Sequence, residues 1–181
     1  MAHPRVTQAA SALAPGQTVF QGDVVETSTG SSLGILLRDN TVFSLSGGSR
    51  MVMTSLVYDP ARSDNAMSLN LVQGAFVFVT GQVAKSGSVN IATPVATMGI
   101  RGTMPLVRLS AVDGSGEFGI SADPPEAGGG VGSYTLTSPT GSYPTVTMNS
   151  TDIIVRINSA AGPVEERAKT PAELQADALL A

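Results

Sequence analysis

The chain has 181 residues, a formal net charge of −4, 42% hydrophobic and 13% charged residues, and neither Cys nor Trp. That length suits one domain, or a domain with an appendage, around a sizeable core, and the hydrophobic share excludes a disordered chain. The missing Cys excludes a disulfide framework and thiolate chemistry, and with no basic patch and few aromatics nucleic acid is not an expected partner.

The start, Met1 to Val6, has no signal-peptide apolar region, so export would need a signal outside this chain. His3 is the single His and sits in a terminal segment, which leaves a hydrolase triad without a base and a zinc site without ligands. From there the pattern has period two. Leu33, Ile35 and Leu37 share a strand face, as do Leu69 and Leu71. Phe76 and Phe78 alternate with Val77 and Val79, which predicts a strand covered on both sides. Val89 with Ile91, and Ile153 with Val155 and Ile157, continue the rhythm. Turn residues separate the runs: Ser28 to Ser31, Asp39-Asn40, Gly47-Gly48, Ser63 to Asn65 and Ser86-Gly87. The pattern predicts an all-β fold, a solenoid-like or rolled β-sandwich of short strands. A faint repeat, Gln21 to Val25 followed by Arg38 to Val42, fits stacked coils.

Asp123 to Gly132 interrupts the strands with Pro124-Pro125 and Gly128-Gly129-Gly130, which no central strand accommodates. Strands resume near Tyr134 to Thr137, Thr145 to Met148 and Asp152 to Ile157. The end predicts one short α-helix: Thr170 as N-cap, Pro171 at the first helical position and Glu173 closing a capping box. Leu174 and Ala178 fall on one side of it. About eleven residues of helix are marginal alone and must dock on something. The expected segments are 1–16 (amino-terminal), 17–122 (main β domain), 123–132 (loop), 133–169 (carboxy-terminal β extension) and 170–181 (helix).

Chemistry is sparse. Asp39-Asn40 and Asp64-Asn65 fit turns better than a calcium site, and no metal or cofactor motif is present. Glu26 and Glu117 could form a glycosidase couple only if the fold set them across a cleft. The segment Thr93 to Thr103 stands out, with Pro94, Gly99 and Gly102 and the lone Arg101. Gly99 and Gly102 suggest positive φ or a bulge. Arg101 is expected to be buried on carbonyls or an acid, so that its loss would cost about 3 kcal/mol or more. A strained Gly102-Thr103 bond could react with itself: the Thr103 hydroxyl attacks the Gly102 carbonyl and the resulting ester is hydrolysed.

At this segment the sequence resembles the FecR family. The resemblance runs through Phe20-Gln21-Gly22-Asp23-Val24-Val25-Glu26-Thr27, Gly34-Ile35, Asp39 to Leu45, Ser49 to Val52 and Val57 to Pro60. It continues through Ser68 to Gly74, Phe76 to Gly81 and Thr93 to Thr103. It implies a solenoid-like, all-β bacterial domain in the periplasm or at the cell surface. In the best-known members that domain belongs to a transmembrane anti-sigma regulator relaying occupancy of an iron-siderophore transporter. Some of those regulators self-cleave at a Gly-Thr bond, here Gly102-Thr103. Gly22, Asp23, Thr93, Pro94, Gly99 and Arg101 are the matching motif residues. The chain lacks the cytoplasmic anti-sigma segment, membrane span and secretin-type domain of the iron-signalling members. The reading is a non-enzymatic interaction or sensing module of a larger protein, whose partner is a protein or neighbouring domains of the same chain. The alternative is a structural or adhesive block of a secreted or surface protein.

Overall fold

The computed structural model describes residues 11–123 and 130–178. His3, Pro124-Pro125, Gly128-Gly129 and the last three residues lie outside them. Strands β1 (Val24–Glu26), β2 (Leu33–Leu36), β3 (Val42–Leu45) and β4 (Arg50–Val57) precede the 14-residue β5 (Ala66–Val79). Helix α1 (Val83–Ser86) leads into β6 (Ser88–Ala92), β7 (Thr97–Arg101), β8 (Met104–Leu109) and β9 (Gly116–Ser121). β10 (Ser133–Thr137), β11 (Val146–Met148), β12 (Ile153–Ile157), β13 (Val164–Ala168) and helix α2 (Pro171–Ala178) follow. The fold is mostly β, as the period-two pattern predicts. Several elements go unread in the strand pattern, among them β4, β8, β9, α1 and β13. α1 is a single turn, too short to show a period, and β13 carries exposed Glu165, Glu166 and Arg167, which breaks the apolar alternation.

The described strands form one continuous sheet, curled about β5. The first half of β5 pairs with β4, which carries β1, and on its other side with β6, followed by β7, β10 and β11. The second half pairs with β3, which carries β2, and with β8, followed by β9, β12 and β13. Chain length dictates the curl. A straight β5 would span roughly 43 Å, yet the parallel pairing of Ala66 with Ser88 obliges the chain to come back from Val79 within about 32 Å. The bend falls at Gly74, where φ is +106° and a Cβ would lie 2.2 Å from Ser49 Oγ. The β4–β5 register slips there too, from Arg50 opposite Gln73 to Met51 opposite Leu71.

The inner faces of both halves share one core. Met51, Leu69, Ile91, Met98 and Tyr134 come from one, and Phe43, Phe78, Phe118, Val155 and Ile157 from the other. Phe43 and Phe78 are cross-strand partners, stacked with ring centroids 5.0 Å apart. The Tyr134 hydroxyl crosses the core to donate to the Gly119 carbonyl at 2.8 Å. Burial pushes its pKa well up, so it stays a protonated donor. Val77 and Val79, expected to be fully covered, are only half-buried.

Asp39 is fully buried and anchors the β2–β3 turn to α1. It accepts from the Thr41 amide (3.1 Å), the Thr41 hydroxyl (2.8 Å) and the Val83 amide (3.2 Å). Asn65 pins its loop through the Asp59 amide (2.8 Å) and the Arg62 carbonyl (2.9 Å). Asp64 is tied to Arg62 by a side-chain hydrogen bond of 2.7 Å. The Asx pairs therefore make turns, and no group of three or more metal-ligating side chains occurs among the described residues.

Candidate functional site

Gly102 and Thr103 form the tight connection between β7 and β8. Gly102 has φ +55°, the left-handed conformation its sequence context suggests. Thr80, just past the end of β5, clamps Thr103: its hydroxyl accepts from the Thr103 amide and donates to the Thr103 carbonyl, both at 3.1 Å. Gly132, just before β10, lies flat against the same peptide. A Cβ on Gly132 would fall 1.6 Å from the Gly102 carbonyl oxygen and 2.6 Å from its carbon. The peptide is thus held from two sides by segments distant in sequence.

The Thr103 side chain is fully buried, and its hydroxyl has no hydrogen-bond partner. Among buried side-chain polar atoms of the described residues, only one other is unpartnered, Oδ1 of Asp123. Both residues lie just beyond the pair Met104–Ser121 that closes the β8–β9 ladder, at the same end of the two strands. Burial raises the Asp123 pKa, with Lys85 opposing. A carboxyl with a raised pKa is the kind of group that takes a proton from a hydroxyl. A nucleophile and a carbonyl in a positive-φ linkage therefore adjoin, with an acid at the same end of the two strands that makes no hydrogen bond to the Thr103 hydroxyl. Thr80, Gly132 and Asp123 escape sequence reasoning, since no spacing connects them to Gly102-Thr103.

Arg101 corrects an expectation. It is exposed, and its guanidinium makes no hydrogen bond or ion pair among the described residues. The outward position follows from strand alternation: Met98 and Ile100 point inward, so Arg101 cannot. Gly99 does not have positive φ. It is small because Thr135 packs against it, with Thr135 Oγ1 3.0 Å from where a Cβ would be. Thr93 and Pro94 start the β6–β7 turn, which the Thr93 hydroxyl closes by donating to the Ala96 carbonyl (2.8 Å) and accepting from its amide (2.9 Å). Gly22 (φ +91°) and Asp23 turn the amino-terminal segment into β1, Asp23 accepting the Phe20 amide at 2.8 Å. No hydrogen bond or ion pair joins Gly22 or Asp23 to the β6–β8 motif residues.

Glu26 and Glu117 are each engaged with arginines on different halves of the sheet. Glu26 pairs with Arg50 at 3.0 Å on the first half of the sheet. Glu117 faces Arg167 and Arg108 at 3.8 and 3.9 Å on the second. Those arginines belong to a network that seats α2. Arg167 makes a two-pronged contact with Glu173 at 2.7 and 2.8 Å, while Thr170 and Glu173 form the predicted capping box. Lys169, with a fully buried side chain, donates to the Ile120 carbonyl (2.6 Å) and pairs with Asp177. Among the described residues, charge holds the helix to the sheet, while Leu174 is 40% exposed.

Fold and site define an all-β module: a curled sheet with a left-handed Gly102 and a buried Thr103 at one strand junction. The profile of the family described as FecR protein matches residues 23–118, from the edge of β1 into β9, and the chain belongs to the FecR family. A search of curated proteins found no match. Two crystal structures of a candidate anti-sigma factor from Parabacteroides distasonis are similar in fold, each with a TM-score of 0.63 at 13% identity. The match covers 85% of this chain and 63% of the other, so the chain spans less than two thirds of that protein's length. No helix among the described residues is long and apolar enough to cross a membrane.

Proposed function

We propose that this chain is a FecR-type interaction and sensing module of a larger bacterial protein. It works in the periplasm or at the cell surface and signals through protein contacts, not through turnover of a substrate. The family match over residues 23–118 carries the reading. The description of the structural neighbour as a candidate anti-sigma factor agrees with a regulatory role. The open groove beside β1 agrees with a non-enzymatic one, because its two acids are engaged: Asp23 with the Phe20 amide and Glu26 with Arg50. We read the curled sheet as a rolled sandwich, since its strands pair antiparallel apart from β5 with β6, where stacked coils would pair in parallel. The segments 17–122 and 133–169 are then best treated as one functional body. Deleting the coding segment in its host, followed by transcript profiling, tests the reading. A selective change in one extracytoplasmic stress regulon is expected. An unchanged transcriptome with altered surface adhesion would instead favour the structural block.

Self-cleavage at Gly102-Thr103 belongs to the same proposal. The Thr103 oxygen adds to the Gly102 carbonyl carbon, the C–N bond breaks, and the nitrogen gains the hydroxyl proton as it becomes an amine. Water then hydrolyses the ester, giving a Gly102 carboxylate and a new amino terminus at Thr103. The buried, unpartnered hydroxyl supports this reading. Incubation followed by intact-mass analysis should give fragments 1–102 and 103–181 from the wild type and none from Thr103→Ala. Undiminished full-length mass in both proteins would sink the idea.

A further inference from the structure

The sheet has four ends among the described residues, and they are not equivalent. β13 is guarded by exposed Glu165, Glu166 and Arg167. β11 is three residues long and follows Pro144. β1 carries the Glu26–Arg50 ion pair. Charges, shortness and proline are the usual protections of an edge strand. β2, at four residues, is short as well, but residues 27–37 contain no charged side chain and no proline.

The hydrogen-bond phase of β2 determines what its edge offers. The Leu37 amide donates to the Thr41 carbonyl at 2.8 Å, so Leu33, Ile35 and Leu37 exchange bonds with β3. Gly34 and Leu36 then point their N–H and C=O groups away from β3, where no described residue meets them. The side chains at these two positions lie on the outer face. Leu36 is 70% exposed beside Val42, which is 39% exposed. A Cβ on Gly34 would have nothing within 4 Å, so open space lies beside it. The groove lined by the amino-terminal segment ends at Leu33, short of these positions.

We propose that β2 pairs antiparallel with β2 of a second copy about a two-fold axis at Ile35. Keeping the faces matched requires Gly34 opposite Leu36 of the other copy. That register makes both of them hydrogen-bonded pairs and gives four new backbone bonds. It also sets each Leu36 over the empty space at the opposite Gly34, in line with Val42. The uncharged sequence removes the repulsion that would otherwise oppose identical edges meeting. The contact is smaller than that of a stable dimer, so association is weak and concentration-dependent.

Sedimentation equilibrium of the wild type should show the mass rising from 18.4 kDa toward twice that value as concentration approaches about 1 mM. Over the same range the Gly34 and Leu36 amides should become protected from hydrogen exchange. Leu36→Lys places a charge on the edge and Gly34→Ile fills the space the opposing leucine needs. Each should weaken association at least about tenfold while leaving the circular dichroism spectrum unchanged. Amide exchange in the wild type needs no variant, so a variant that fails to fold does not blunt the test. A wild type that stays monomeric at the highest concentration overturns the proposal. So does a dimer whose Gly34 and Leu36 amides remain unprotected, or one that both folded variants retain.

Discussion

Thr103 is the residue at which stability and reactivity oppose each other. Its hydroxyl is buried without a partner, which costs free energy that a methyl group of the same shape would not. Thr103→Val should therefore be neutral or stabilising by up to about 2 kcal/mol in urea unfolding. A clear loss of stability would mean that the hydroxyl is satisfied in solution. The proposed nucleophilic chemistry at Gly102 would give such an atom a reason other than packing. The sequence pointed to Gly102 and Thr103 through the glycines and lone Arg101 of an apolar segment, and through the resemblance to a family with a matching Gly-Thr bond. It was silent on Thr80, 23 residues away, and on Gly132, because contacts across a curled sheet leave no periodic trace. Arg101 was misread for a related reason: its cost was judged from neighbours in sequence, whereas strand alternation decides which face a side chain takes.

Among the described residues, α2 is held to the sheet by charged contacts. Its amino terminus was legible: Thr170, Pro171 and Glu173 do what their spacing predicts. Its attachment was not, since Arg167, Lys169 and Arg108 become partners only after β8, β9 and β13 align. The Arg167 guanidinium, and then the Thr170 amide, hold the Glu173 carboxylate well below its ordinary value of 4.5. A depressed carboxylate contributes stability that is fully present above its unfolded value and is lost as pH falls through the folded one. Stability should thus be level near neutrality and decline below about pH 4.5. Asp113, held down by Ser110 and Ser115, adds to the same slope, while Asp123, raised by burial, opposes it. Glu173→Gln should flatten the acid slope without abolishing it. Urea midpoints for both proteins between about pH 3 and 7 check this. An unchanged slope would show that the Arg167–Glu173 contact is not made in solution.

At the scale of the whole molecule, the strands after residue 132 are not an annex. β10 and β11 extend one half of the curled sheet and β12 and β13 the other, so the later strands complete both layers. The period-two pattern revealed most of these strands but not their placement, because alternation reports a strand's faces and not its neighbours. Tyr134, Leu136, Met148, Val155 and Ile157 are all essentially inaccessible and belong to the common core. Each contributes about 2 kcal/mol by burial, and together they approach the whole net stability of a typical domain, about 5–15 kcal/mol. Removing them also uncovers Phe118 and Ile120 on β9 and the inner face of β7. A protein ending at residue 122 keeps the entire family match yet loses this closure. It should therefore fail to unfold cooperatively in urea and should bind a hydrophobic dye, whereas the full chain shows one sigmoidal transition. A sharp transition in the shortened chain would mean that the first nine strands close their own core.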